Sequence, residues 1–477
     1  MKRLPARQLD LATLWLRLLS LALMGYACLG RGFAHIGYAS VYTGEILLLL
    51  GFVVVCLRRN PSVPAHIAVV WLWATFAFWG LVRSLPYFAR YGYDVMRDAV
   101  VWGYGLFALF IIIFTLEDYR APKVIQGMMP WMRCFLIVIP VPLLLFYVFN
   151  ITLPIPFFPS VSLFDVRRGD TAVYLAAIVA FVLTGLGSQP RKHPHPLTPL
   201  TNVLCAIGFI VSALIVISAS RGAFMALLLS LATVAILRPS ARLILAGAIA
   251  LVLAIVVACA NPTIKLSTGR QISSSQVVEN VTSTFSHTSG DVEMEEARQW
   301  RIDWWHSIIH YTIDGPYFWL GKGFGVDLAS DDGFAVSKDD QTRSPHDACL
   351  NILARTGVVG LCLWILLQGA FVILVFRGYL AARRYGAEWW ISVNVWLLAT
   401  WVAFTVNMAF DVYLESPQGG IPFWSFIGLG VALAFTQDTS YGTRFRAARP
   451  SSRPPHYRKP IGARMTCPHS SNRINIA

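Results

Sequence analysis

Of the 477 residues, 56% are hydrophobic and only 13% are charged, and the formal net charge is +14. A soluble domain carries roughly 25% charged residues, so this composition excludes an ordinary soluble fold and points to a chain dissolved in lipid. The eight cysteines (Cys28, Cys56, Cys134, Cys205, Cys259, Cys349, Cys362, Cys467) are scattered and show no CxxC or zinc spacing, so they indicate neither a disulfide framework nor a metal site.

A spanning helix needs about 20 mostly apolar residues. Runs of that kind predict twelve spans, near 11–29, 41–57, 67–82, 98–115, 132–149, 171–187, 199–217, 222–237, 242–260, 348–376, 390–410 and 419–436. The first lacks a small-residue cleavage site, so it reads as a retained helix and not a signal peptide. The class is an all-α polytopic membrane protein in four parts. An N-terminal transmembrane region, 1–260, holds about nine helices. A large, partly helical loop domain covers 261–345, and a C-terminal region of about three helices covers 346–436. A tail rich in Arg, Pro and Ser, 437–477, is expected to be disordered.

A cytoplasmic N-terminus places Arg58, Arg120, Lys123, Arg133, Arg191, Arg238, Arg377, Arg383 and the basic tail on the inside, as the positive-inside rule requires. Both termini are then cytoplasmic and the long loop lies outside. The positive charge reads as topology and attraction to anionic lipid. No nucleic-acid-binding motif accompanies it.

Three stretches on the outer side could carry chemistry. In "SASRGAF", Arg221 sits where the seventh span hands over to the eighth, with Ser220 as a cap and Gly222 keeping the backbone accessible. A helix N-terminus beside an arginine suits an anion such as a phosphate; the competing reading is an arginine snorkelling to the interface. In the helix-like stretch "RQWRIDWW", Arg298 and Arg301 are three apart and could address one anion, while Arg301 and Trp305 share a face. Trp304, Trp305 and Tyr311 would supply an aromatic belt, and an ordinary surface helix is the plainer alternative. The following "ASDDGFAVSKDDQTR" reads as a mobile polar strip with solvated aspartates.

The third stretch is "SPHDACLNILARTGVVGL", Ser344 to Leu361. Ser344 as N-cap and Pro345 at the first helical position make Asp347 the third helical residue, explained by the helix dipole. His346 then falls in the first turn, where the dipole favours a neutral imidazole able to accept a proton. Helical spacing returns Gly357 and Gly360 to the face of His346, a small-residue groove for close packing.

Together these stretches resemble the O-antigen ligase and polymerase superfamily of bacterial membrane glycosyltransferases. "SRGAF" resembles that family's Ser-Arg-Gly start of a span. "RIDWW" with "GPYFWLGKGFG" resembles its Arg-x-x-x-Trp helix and Gly-x-Gly turn, here Arg301, Trp305, Gly321 and Gly323. "HDACLNILARTGVVG" resembles its histidine followed by Gly-x-x-Gly, here His346, Gly357 and Gly360, and "DVYLESP" is similar to its acidic loop before the last span. Asp347 departs from the Asn, Ser or Gln usual after the histidine.

The resemblance implies a GT-C-like fold in the bacterial inner membrane and the transfer or polymerisation of an undecaprenyl-diphosphate-linked glycan at the periplasmic face. The acceptor would be a hydroxyl of another glycan, of lipid A–core or of a protein. It implies no cofactor and no metal. His346 would be the base, and Arg221 and Arg301 would hold the diphosphate, with Arg298 and Arg343 in reserve. A lipid-linked-glycan transporter or flippase is the alternative, against which stand the scarcity of acidic residues within the spans and the absence of an obvious repeat.

Overall fold

In the computed structural model, which describes residues 10–38, 41–58, 63, 67–116, 120–155, 158–187, 198–218, 220–240, 264–265, 271–272, 292–336 and 343–448, the apolar runs fold as helices. We label the longer ones in chain order: α1 Leu11–Leu29, α2 Thr43–Cys56, α3 Ala68–Ser84, α4 Tyr93–Gly103, α5 Gly105–Leu116, α6 Arg120–Val138, α7 Arg168–Leu183, α8 Thr198–Ile217, α9 Arg221–Leu237, α10 Val292–Ile313, α11 Ala348–Arg384, α12 Glu388–Met408 and α13 Pro417–Ala448. Strands are confined, among the described residues, to three short antiparallel hairpins. The chain divides into two units, Met1–Gln437 and Asp438–Ala477. Of the second, only the helical residues 438–448 are described.

Seven helices among the described residues are long and apolar enough to cross a membrane, so this is a multi-pass membrane protein. The expected span at 98–115 is instead a bent pair, α4 and α5, which meet at 44°. The bend falls at Tyr104, whose hydroxyl donates to Glu45 Oε1 at 2.8 Å, so a polar side chain of α2 holds the corner. α2 and α9 are apolar but shorter than a full span. The expected ninth span at 242–260 and most of the tail lie outside the described residues.

The two ends of the bundle are chemically distinct. At one end, Asp10 caps α1 by accepting the Ala12 N–H at 3.2 Å and pairs with Arg120 at 2.6 Å; Arg238 pairs with Glu388 at 3.0 Å. At the other end lie the starts of α7, α9 and α11 and the 409–416 loop between α12 and α13. α7, α9 and α12 pack on one another beneath that loop. α11 packs on α3, α10 and α12.

α11 is not a single rod. Gly357 has φ 69° and ψ −171°, a region open essentially to glycine alone, and a Cβ there would lie 2.5 Å from the Trp319 carbonyl. A break in a helix strips the hydrogen bonds from a turn, and in lipid each exposed group costs several kcal/mol. Here three carbonyls and one amide at the break find partners elsewhere. Lys322 N–H donates to Ala354 O at 2.7 Å and Gly323 N–H to Arg355 O at 2.9 Å; the Trp79 indole donates to Thr356 O at 3.0 Å. Val358 N–H donates to Phe318 O at 2.8 Å. The "WLGKGFG" turn therefore plugs the break, and Gly321 makes the close approach, since a Cβ on it would meet the Arg355 carbonyl carbon at 2.5 Å.

That geometry corrects the expected role of Gly357 and Gly360. They do not line a groove under His346. Gly357 backs onto residues 318–319, and Gly360 sits against Thr356 and Trp79. The polar strip is corrected too. Leu328–Asp332 forms a short helix. Asp332 is buried and takes the Trp304 indole at 2.7 Å and Lys322 Nζ at 2.5 Å, so it is structural and not solvated. Trp304 is likewise fully buried and belongs to no surface belt. Asp339 and Asp340 lie outside the described residues.

Candidate functional site

Phe410 and Asp411, at the start of the 409–416 loop, are where the three candidate stretches meet. From α10, Arg301 donates through Nη1 to Phe410 O at 3.3 Å. From α9, Gly222 packs so closely on Phe410 that a Cβ would lie 3.0 Å from its side chain. From the segment before α11, His346 Nδ1 faces Asp411 Oδ1 at 3.8 Å. Trp305, on the same helix as Arg301, donates from its indole to Pro345 O at 2.7 Å, tying the arginine helix to the backbone beside the histidine.

His346 is placed differently from the sequence expectation. Ser344 is not the N-cap, because its hydroxyl donates to Glu415 Oε1 at 2.7 Å. Asp347 is the cap, accepting the Leu350 N–H at 2.8 Å, and α11 begins at Ala348. His346 therefore precedes the helix, and neither the dipole argument nor the helical phase with Gly357 applies to it. Its φ is 57°, an uncommon conformation outside glycine in which His is among the better tolerated residues. Its ring meets Trp300 edge-on, with centroids 6.4 Å apart.

Arg221 is the first residue of α9, capped by Ser220, whose hydroxyl accepts the Ala223 N–H at 3.2 Å. Its Nε and Nη2 are buried without a hydrogen-bond partner among the described residues. Buried polar groups are normally paired, so this guanidinium is open to a partner that the described residues do not supply. Arg301 is half-buried; burial lowers its pKa while the Asp411 charge pulls the other way. Arg298 is exposed on α10, nearly one turn before Arg301. Arg343 is committed elsewhere, to Asp94 and Asp98 at 3.5 Å each and to Gly325 O at 2.9 Å.

Two residues of the site were not singled out from sequence. Asp411 lies between His346 and Arg167: Arg167 Nη1 is 3.6 Å from its Oδ1 and donates to Val412 O at 3.2 Å. Burial pushes the Asp411 carboxyl up. The His346 ring, Arg167 and the Val412 N–H outweigh that and hold it below its ordinary range. The carboxylate therefore stays charged at neutral pH beside the imidazole. Their sequence signals are the acidic loop "DVYLESP" and the stretch "FDVRRGD".

Glu415 behaves in the opposite way. Burial pushes its carboxyl up to about 7, against the pull of Arg355 and the Ser344 hydroxyl. A carboxyl with a raised folded-state pKa holds a proton that the unfolded chain has lost, so stability falls as pH rises from about 4.5 to about 7. Glu415→Gln keeps an acceptor for Ser344 and removes the titration. The variant is expected to gain thermal stability over the native chain above pH 7, with the gap closing below pH 4.5. Melting curves in detergent across that range check this; a gap that does not change with pH would refute it.

Residues 206–365 match the O-antigen ligase family. The chain thus carries an O-antigen ligase domain, and the resemblance read from "SRGAF", "RIDWW" and "HDACLNILARTGVVG" holds over that stretch. That family is one of membrane glycan transfer or ligation. The ligase domain includes Arg221, Arg298, Arg301, His346, Gly357 and Gly360; Arg167 and Asp411 fall outside the match on either side. No match is found among curated proteins.

Proposed function

We propose that the protein transfers or polymerises a glycan carried on undecaprenyl diphosphate, at the periplasmic face of the bacterial inner membrane. The observation that carries this reading is the pair of buried guanidinium nitrogens of Arg221 without a partner among the described residues, one residue before the Gly222 that packs on Phe410, whose carbonyl Arg301 addresses. Fixed guanidiniums suit the diphosphate of the leaving group, because they stabilise charge as it develops without reorganising. Arg298 extends the same face.

In the reaction, the acceptor hydroxyl oxygen attacks the anomeric carbon of the lipid-linked sugar. The bond from that carbon to the diphosphate oxygen breaks, and the lipid diphosphate leaves with the electron pair. The hydroxyl proton goes to Nε2 of His346. Asp411 faces Nδ1 and favours the tautomer with its proton there, which leaves Nε2 free as the base. The 3.8 Å separation is long for a hydrogen bond, and catalytic contacts of this kind commonly tighten only when substrate is bound. The acceptor is a hydroxyl of a glycan, of lipid A–core or of a protein.

Arg221→Ala is expected to slow transfer by about 100- to 1,000-fold, the loss typical of removing one preorganised donor to a developing anion. The protein in liposomes, given a lipid-linked glycan and an acceptor, reads this directly. Transfer at the native rate would remove Arg221 from the mechanism. Glycan flipping without transfer would favour the transporter reading.

A further inference from the structure

The glycine turn that plugs α11 carries an apolar surface that the rest of the chain leaves uncovered. Trp319 and Leu320 are 66% and 49% exposed, and Ile313 and Tyr317, just before them, are 44% and 38% exposed. Contiguous apolar side chains left open in this way mark a contact with a partner or a membrane. The height of the turn along the bundle decides which.

That height follows from α11. Between Arg355 and Arg377 the chain holds no charged residue. The 19 residues from Val358 to Phe376 rise about 28 Å in a helix, close to the ~30 Å of a hydrocarbon core. The break at Gly357 therefore lies at the edge of the hydrocarbon. Trp319 is fixed at that level, because Gly357 backs onto its carbonyl and Val358 N–H donates to Phe318 O at 2.8 Å. From α3, Arg83 Nε donates to Leu320 O at 2.6 Å. Both helices that hold the turn present bare apolar side chains, Ile365 and Leu366 on α11, Phe78 and Leu81 on α3. The Trp319 cluster continues that lipid-facing surface.

α10 climbs away from the same level. The Trp305 indole reaches Pro345, before α11 begins, and Trp304 and Ile308 pack in one cluster with Leu353 and Ala354. The helix thus runs antiparallel to the first part of α11. Its exposed side chains change along the way. Arg298, Gln299, Asp303 and His306 occupy the far end, while Ile309 and Ile313 appear near the turn, beside His310 and Asp314.

We propose that Ile313, Tyr317, Trp319 and Leu320 form an interfacial anchor that enters the lipid leaflet at the end of the bundle where α11 begins. Its partner is phospholipid at the boundary between headgroups and acyl chains. Tyr and Trp suit that depth, since one end of each ring is apolar and the other polar. Irregular backbone enters lipid only when its polar groups are satisfied, and the carbonyls of Phe318, Leu320 and Gly321 already have donors. The anchor goes beyond the glycan-transfer reading and uses no part of it.

The test places the photoreactive residue p-benzoylphenylalanine at one position at a time in the full chain, in phosphatidylcholine liposomes. Variants with the native elution profile are irradiated and weighed by mass spectrometry. Trp319→p-benzoylphenylalanine is expected to gain a phospholipid adduct, as is the same change at the lipid-facing Ile365. The change at Asp303, higher on α10, is expected to gain none. The contact with Gly357 is made by the backbone of residue 319, so the substitution leaves the plug in place. Leu320→p-benzoylphenylalanine repeats the measurement should the first variant not fold. No adduct at 319 or 320, with one at 365, would put the turn in water and overturn the proposal. A crosslink to a second copy of the chain would overturn it in favour of a protein interface. Lipid adducts from position 303 as well would lay the whole of α10 on the bilayer and overturn the assignment to the turn.

Discussion

His346→Ala is expected to reduce glycan transfer by about 100- to 10,000-fold, the range that a positioned general base contributes. The effect should fall on turnover and not on donor binding, because the arginines proposed for the diphosphate belong to other segments: Arg221 begins α9 and Arg301 lies on α10. Folding should survive. The imidazole is half-exposed, Asp411 stands 3.8 Å from it, and its ring contact is the edge of Trp300. The backbone is the one complication, since φ at His346 is 57° and alanine tolerates that region poorly. His346→Asn controls for it: asparagine accepts the conformation and cannot act as the base. Both variants losing transfer while retaining the native elution profile fits the role. Asn at full activity with Ala inactive would mean that position 346 matters for its backbone alone.

A strained residue at a functional site is worth reading in that direction, from outlier to hypothesis. The loop geometry around His346 is over-determined by its neighbours. Pro345 O accepts the Trp305 indole N–H, the Ser344 hydroxyl donates to Glu415, and Asp347 caps α11. Anchors on Ser344, Pro345 and Asp347 flank His346 and hold the ring toward Asp411.

The sequence made the helices legible because apolar runs need no tertiary information. It also identified Ser220 as a cap and Gly321–Gly323 as a turn, both of which are local. Its reading of the histidine segment failed for a physical reason. Ser344 and Asp347 are both good caps, and the choice between them is made by Glu415, 71 residues further along, which recruits the Ser344 hydroxyl. Gly357 was misread because helical phase assumes an unbroken helix, and the break is stabilised by donors from residues 79, 322 and 323. Asp411 and Arg167 were out of reach for the same reason, since their partners lie hundreds of residues away or across the bundle.

The largest effect on stability is expected from Asp98→Ala. Asp98 and Arg355 are buried together, with Oδ2 2.8 Å from Arg355 Nη1. The same oxygen accepts the Gly325 N–H at 3.0 Å and faces Arg343 Nη2 at 3.5 Å. Arg355 also donates to Val326 O at 3.1 Å and to Asn351 at 2.9 Å, on the last turn of α11 before the break at Gly357. One carboxylate thus fixes α4, the glycine turn and the broken helix relative to one another. Its removal leaves a buried guanidinium without its counter-charge, and breaking a buried pair in that way costs about 3–5 kcal/mol. Replacing both partners is a different experiment, because no uncompensated charge remains; Asp98→Ala with Arg355→Met is expected to recover part of the loss. Thermal unfolding of the two variants in detergent separates these cases. A double variant no more stable than Asp98→Ala would mean that the loss comes from the glycine turn, through Gly325, and not from the stranded charge of Arg355.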